Sequence, residues 1–416
     1  MDTTKILFQF VIYLSCSCVL SVFGSKECNF PAIFNFGDSN SDTGGLASAF
    51  PAFLTPPYGE TYFREPSGRF SDGRLVIDFI AQSYGLPYLS AYLDSQETTF
   101  KHGANFATAA STIRLPKQVI PNDDGYSPFY LDVQYTQFVR LKSPSRAIRN
   151  RGEKYICTYI AHIYIGIEIY YGFVINCKFV DFAGKKHAKL VPQLQGGYFK
   201  EALYTFDIGQ NDIAEGIFAN MSLQQLKASV PDIISHFTTN FKNIYNISGG
   251  RSFWIHNTGP IGCLAYVLTP FPSAERDEAG CAKPYNEVAQ HFNYVLKQAV
   301  VQLRKEFPSA AITYVDIYSV KYSLFKDPHK YGFELPLVTC CGYGGKYNYS
   351  DSVGCGGTVT VNGSQIYVGS CERPSVRVNW DGIHYTEAAN KVIFDKISTG
   401  AFSDPPLPLN RACIRA

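Results

Sequence analysis

Short, largely apolar runs alternate along this chain with longer stretches that repeat at helical spacing. Residues 32–36, 103–107, 202–208, 252–257 and 311–317 have the length and content of buried strands. Between the last two of these, Pro284 opens a stretch in which Val288, Phe292, Val295, Leu296, Ala299, Val300 and Leu303 fall on one helical face. A second helix is predicted from Ser222 as its N-cap, with a kink at Pro231. A third begins at Arg74, where Leu75, Val76, Phe79 and Ile80 share a face. Strands separated by helices predict an α/β fold with a parallel sheet covered on both faces.

Folds of this kind keep their chemistry at the carboxyl edge of the sheet. The first strand ends in Gly37-Asp38-Ser39, followed by small polar residues and Gly44-Gly45, so Ser39 is the candidate nucleophile. Taken alone, Gly-Asp-Ser is more often a surface turn. A serine hydroxyl needs a base for its proton, and that base needs an anion to fix its tautomer. Asp381-Gly382-Ile383-His384 supplies both groups from one tight turn. His384 is assigned as general base and later general acid, and Asp381 as its orienting carboxylate. Asn211, in the turn Gly209-Gln210-Asn211-Asp212, is the side-chain donor expected to meet charge on an attacked carbonyl oxygen. Asp38 and Asp42 are assigned to holding the turn. The other histidines are read as structural hydrogen-bonders, with His102, just before the second strand, noted as the one for which an approach to the cleft is the alternative reading. The chain has no Gly-x-Ser-x-Gly elbow, which argues against an α/β-hydrolase despite the order Ser, Asp, His.

Composition narrows the setting. Net charge is +2 with no block of lysine and arginine, which gives no support for nucleic-acid binding. Residues 1–24 read as a secretory signal peptide, with Lys5 before an apolar core and Val22-Phe23-Gly24 at the cleavage site; an uncleaved anchor is the rival reading. A signal makes twelve cysteines a sign of an oxidising compartment, although Cys16 and Cys18 leave with it. Cys263 and Cys281 bracket one loop, and Cys340, Cys341, Cys355 and Cys371 crowd another, where a zinc site lacks histidines and paired Cys-x-x-Cys spacing. N-glycosylation sequons begin at Asn220, Asn246, Asn348 and Asn362, each predicted at the surface.

With these blocks located, the chain resembles a plant GDSL esterase/lipase, a branch of the SGNH hydrolases, from about Phe30 to Ile397. Phe36-Gly37-Asp38-Ser39, Gly103-Ala104-Asn105-Phe106-Ala107, Gly209-Gln210-Asn211-Asp212 and Asp381 with His384 stand in the family's order. Tyr204-Thr205-Phe206-Asp207-Ile208 places it near the early-nodulin-type and α-fucosidase-like acetylesterases. The resemblance implies a flavodoxin-like three-layer sandwich on a parallel five-stranded sheet, forming one domain over residues 25–416. It implies catalysis by Ser39, Asp381 and His384 through an acyl-enzyme, with no metal or organic cofactor and no stable membrane insertion. The substrate would be an acetyl or short acyl ester of a metabolite, lipid or glycan, and the location the extracellular space, cell wall or vacuole. An α-fucosidase-type glycosidase and a catalytically impaired ester- or glycan-binding homologue are the alternatives.

The resemblance also implies backbone oxyanion donors from Ser39 and from a glycine late in the second block, where this chain has Ala110. A backbone donor survives that exchange unless the residue needs φ > 0. Because Thr108, Ala109 and Ala110 follow a strand without a glycine, a negative φ is expected at Ala110. A second departure lies at about 153–181, where a segment rich in Ile, Tyr and Phe separates Ala147-Ile148-Arg149 from Leu190-Val191-Pro192. It is read as translated intron, with a lid over the cleft and a transmembrane helix as the other readings.

Overall fold

The computed structural model describes residues 27–50, 54–94, 100–120, 125–142, 155–157, 177–179 and 196–413. The expected signal peptide lies outside the described residues, as does most of the segment 153–181. Within that segment, Tyr155–Cys157 and Cys177–Phe179 pair antiparallel, with Cys157 opposite Cys177.

The central sheet has six strands: β1 (Ile33–Gly37), β2 (Gly103–Asn105), β3 (Leu203–Asp207), β4 (Ser252–His256), β5 (Ala311–Val315) and β6 (Ser403–Asp404). Their spatial order is β6-β5-β4-β3-β1-β2. β1 to β5 are mutually parallel, and β6 joins the β5 edge antiparallel. The five predicted strands are therefore present and parallel. The sixth is two residues long, too short to show a hydrophobic period, and it was not predicted.

The principal helices are α1 (Gly45–Ala49), α2 (Val76–Ser83), α3 (Leu131–Lys142), α4 (Gln210–Phe218), α5 (Leu223–Ser248), α6 (Lys283–Glu306), α7 (Ile317–Lys326) and α8 (Glu387–Ile397). α5 packs against α3 and α6, while α8 packs against α2 and α7, giving the outer layers of an α/β/α sandwich. Ser222 caps α5 as expected, its hydroxyl accepting from Gln225 N–H. The helix nevertheless continues past Pro231 as one element, with its apolar face from Leu226 to Ile244 buried. Packing of that face holds it helical although Pro231 cannot donate a backbone hydrogen bond.

The sheet interior is aromatic. Phe36 stacks on Phe106 and Phe206 at 5.1 and 5.2 Å, one ring from each of three adjacent segments. A polar rung crosses the same strands. Asn35 lies opposite both Thr205 and Asn105, accepting from Thr205 Oγ1 at 2.7 Å and donating to Asn105 Oδ1 at 2.7 Å. All three side chains are buried, so each needs these partners.

Four disulfides staple the described chain: Cys28–Cys413, Cys263–Cys281, Cys340–Cys371 and Cys341–Cys355. The first joins residues 385 positions apart, near the two ends of the described chain. The last two stand in a small second core formed by Leu54, Tyr58, Cys340, Cys341 and Trp380. Among the described residues no helix is long and apolar enough to cross a membrane.

Candidate active site

β1 delivers Ser39 to the carboxyl edge of the sheet, and polar contacts hold the turn behind it. Gln134 of α3 bonds both backbone groups of Gly37, accepting from its N–H at 2.9 Å and donating to its oxygen at 2.8 Å. A Cβ at Gly37 would stand 2.3 Å from Ser41 Oγ and 2.6 Å from Asp207 O, so no larger residue fits there. Asp38 accepts from the backbone and side-chain amides of Asn40 at 3.0 and 3.1 Å. Asp42 accepts from the backbone N–H groups of Gly44, Gly45, Leu46 and Ala109. It thereby closes the turn, caps α1 and ties this block to the next. Both aspartates hold the turn, as expected.

Asp381 and His384 meet within their own turn. Asp381 Oδ2 lies 2.6 Å from His384 Nδ1, and Oδ1 accepts from the N–H groups of Ile383 and His384 at 3.0 and 2.9 Å. Burial opposes the charge on Asp381, but His384 and these two donors outweigh it and hold the carboxyl below its usual range. With Nδ1 so engaged, Nε2 is the ring nitrogen left for chemistry. It is buried without a hydrogen-bond partner among the described residues. The Ser39 side chain is also buried, and no hydrogen bond joins it to His384 among the described residues.

The backbone N–H groups of Ser39 and Ala110 have no acceptor among the described residues. Asn211 sits in the first turn of α4, where its Nδ2 donates to Ser111 O at 2.9 Å. An amide nitrogen carries two hydrogens, so this bond orients the group and leaves one donor over. Ala110 overturns the expected backbone, for its φ is 60°. The reason is a turn in which Ser111 N–H donates to Thr108 O at 3.1 Å, so that Ala110 is the third residue. Type II turns need positive φ at that place and favour glycine there. Asp212 ties the third block to the second, accepting from Ile113 and Arg114 N–H at 2.7 and 3.3 Å. Burial pushes its carboxyl up to about 7 against these donors.

His102 is not near the cleft. Its carbonyl accepts from Ile33 N–H and its Nδ1 lies 3.3 Å from Pro31 O, at the amino end of β1. Ser39 follows the other end. Of the sequon asparagines, Asn220, Asn246 and Asn362 are exposed, while Asn348 is half-buried with its amide donating to Thr339 O at 3.0 Å.

Several polar residues near the Ser39 turn escaped the sequence reading. Trp254 Nε1–H donates to His256 Nε2 at 2.8 Å, so the proton of the neutral ring sits on Nδ1, 3.3 Å from Asp207 Oδ2. Asp207 N–H is part of the β-ladder, and its carbonyl accepts from Asp38 N–H at 3.0 Å. Lys321 is buried on α7; burial pulls its ammonium pKa down against the attraction of Asp207 and Asp38. Burial and the Asp207 carboxylate push Asp38 up to about 7, against Asn40 and Lys321. A lysine among Ile317, Val320, Leu324 and Phe325 on the buried face of α7 was the available signal. Tyr58 and Phe70 lie outside the four motif blocks. Tyr58 O–H donates to Asp381 Oδ2 at 2.9 Å, and the Phe70 ring lies 5.1 Å from that of His384.

Comparison with known proteins places these blocks in a family context. The profile of GDSL-like lipase/acylhydrolases matches residues 33–397. An esterase of Hevea brasiliensis is 59% identical over 95% of this chain and 92% of its own length. The GDSL esterase/lipase ENOD8 of Medicago truncatula is 52% identical over 95% and 92%. A protein of Arabidopsis thaliana named alpha-L-fucosidase 3 is 49% identical over 94% of each chain.

Proposed function

The chain belongs to the family of GDSL-like lipases and acylhydrolases and is a carboxylic ester hydrolase; on that premise we propose that it is a secreted serine esterase cleaving acetyl or short acyl esters of plant metabolites or glycans. Ser39 Oγ attacks the ester carbonyl while His384 Nε2 takes its proton. The oxygen of the tetrahedral intermediate receives the N–H groups of Ser39 and Ala110 and the remaining Asn211 amide hydrogen. His384 then protonates the departing alcohol, leaving an acyl-Ser39. Water, deprotonated by His384, attacks that ester and releases the acid and free serine.

The observation that carries this reading is the bond between Asp381 and His384, which leaves Nε2 unpartnered. Disulfides at four places suit an oxidising secretory route. A glycosidase would instead need two carboxylates flanking a sugar, and Asp381 is committed to His384. An organophosphate tests the mechanism: it should label Ser39, and Ser39→Ala should lower turnover by at least ~10⁴-fold with the fold retained. Residual activity above a tenth of wild type would remove Ser39 from the role. A series of p-nitrophenyl esters of rising chain length should show the highest kcat/KM at acetyl to butyryl; a maximum at long chains would overturn the short-acyl assignment.

A further inference from the structure

The carboxylate that orients His384 is itself oriented by a residue from a distant loop. Tyr58 is buried, with its ring edge-on to Phe70 and to Trp380, each at 6.0 Å between centroids. Its hydroxyl is 2.9 Å from Asp381 Oδ2, the oxygen that also receives His384 Nδ1–H. An ionised carboxylate only accepts, so the phenol must donate. We infer that Tyr58 is a positioning residue of the triad: its O–H fixes Asp381 Oδ2 and tempers the carboxylate's basicity, so that the proton taken from Ser39 stays on His384. This rests on the triad reading above.

The consequence is a difference in charge balance rather than in packing alone. A carboxylate that loses a hydrogen-bond donor becomes more basic and holds a neighbouring imidazolium more strongly. The other ionisable groups facing the pair are Tyr349, whose ring lies against Gly382, Asp351 beside it, and Tyr266, whose backbone N–H donates to Gly382 O. On the flanking segments, Asp72 accepts from Glu387 N–H, and Glu387 pairs with Arg74. Among the described residues, Tyr58 is the one side chain besides His384 that hydrogen-bonds the Asp381 carboxylate. Burial and that carboxylate together keep its phenol protonated well above the ordinary range.

Tyr58→Phe keeps the ring and removes the donor. It should lower kcat about tenfold with KM little changed, and move the acid limb of the kcat/KM–pH profile upward by about half a unit. Leu54→Ala loosens the same small core without touching the donor and should leave the acid limb in place. In an Asp381→Asn background, Tyr58→Phe should give no further loss in the rate of organophosphate labelling. An unmoved acid limb, or an equal loss with and without Asp381, would reduce Tyr58 to a packing role. If Ser39→Ala is inactive while Tyr58→Phe behaves as wild type, the Tyr58 assignment alone fails; an active Ser39→Ala would overturn the triad.

Discussion

The turn that carries Ser39 leaves a strand in the interior of the central sheet, whereas the turn that carries Asp381 and His384 belongs to no strand of that sheet. The first is held from beneath by the sheet itself: the Gln134 clasp on Gly37, the Asn35 rung and the four amides around Asp42. The second is held from the side. Cys340 N–H donates to Asn379 O and Cys341 N–H to Trp380 O, and both cysteines are disulfide-bonded. Trp380 N–H in turn donates to His384 O at 2.8 Å. The proposed nucleophile is thus placed by a hydrogen-bonded strand, and its proposed base by a stapled loop. On the proposed reading, the staples would serve the geometry of catalysis as well as stability.

The largest effect expected on the nucleophile side is that of Asn211→Ala, which should lower kcat ~10²–10³-fold as one oxyanion donor is lost. A change confined to KM would make Asn211 a substrate-binding residue instead. On the base side, replacing Cys340 and Cys371 together by alanine should cost about 2–4 kcal/mol of stability, read by thermal unfolding. It should also slow organophosphate labelling of Ser39 at temperatures where the sheet is still folded. Labelling at the wild-type rate would show that the base turn does not need this staple.

Ala110→Gly sharpens the comparison in the opposite direction, for it should improve the nucleophile side. An alanine in the left-handed region costs about 1–2 kcal/mol relative to glycine. The variant should therefore unfold at higher temperature and turn over at least as fast, and a lower melting temperature would refute the strain. A further effect is expected in pH dependence. Asp38 titrates at about 7 in the folded chain against an ordinary 3.8, so the folded state keeps a proton that the unfolded state has released. Stability from this group is full below the ordinary value and is lost as pH rises through about 7. Asp207 and Asp381, held below the ordinary range, contribute with the opposite sign, so the test is the difference: relative to Asp38→Asn, the melting temperature of wild type should decline over that window, and parallel curves would remove Asp38 as the cause.

What the sequence determined is what local pattern can carry. Apolar runs marked five strands, Ser222 and Pro284 marked helix starts, and three polar turns marked the candidate site, because periodicity and turn chemistry report on nearest neighbours along the chain. Tertiary structure alone decided the rest. The φ of Ala110 follows from a hydrogen-bonded turn, not from the residue type. His102 is at the wrong edge because strand direction, not proximity to a motif, sets which end faces the cleft. Cysteine partners, the buried Lys321 and the donor from Tyr58 all depend on segments that meet only when the sheet is wound. Tyr58 and Asp381 are 323 positions apart, and no period in the chain encodes a contact over that span; only the packed sheet and its side core bring the two groups within hydrogen-bond reach.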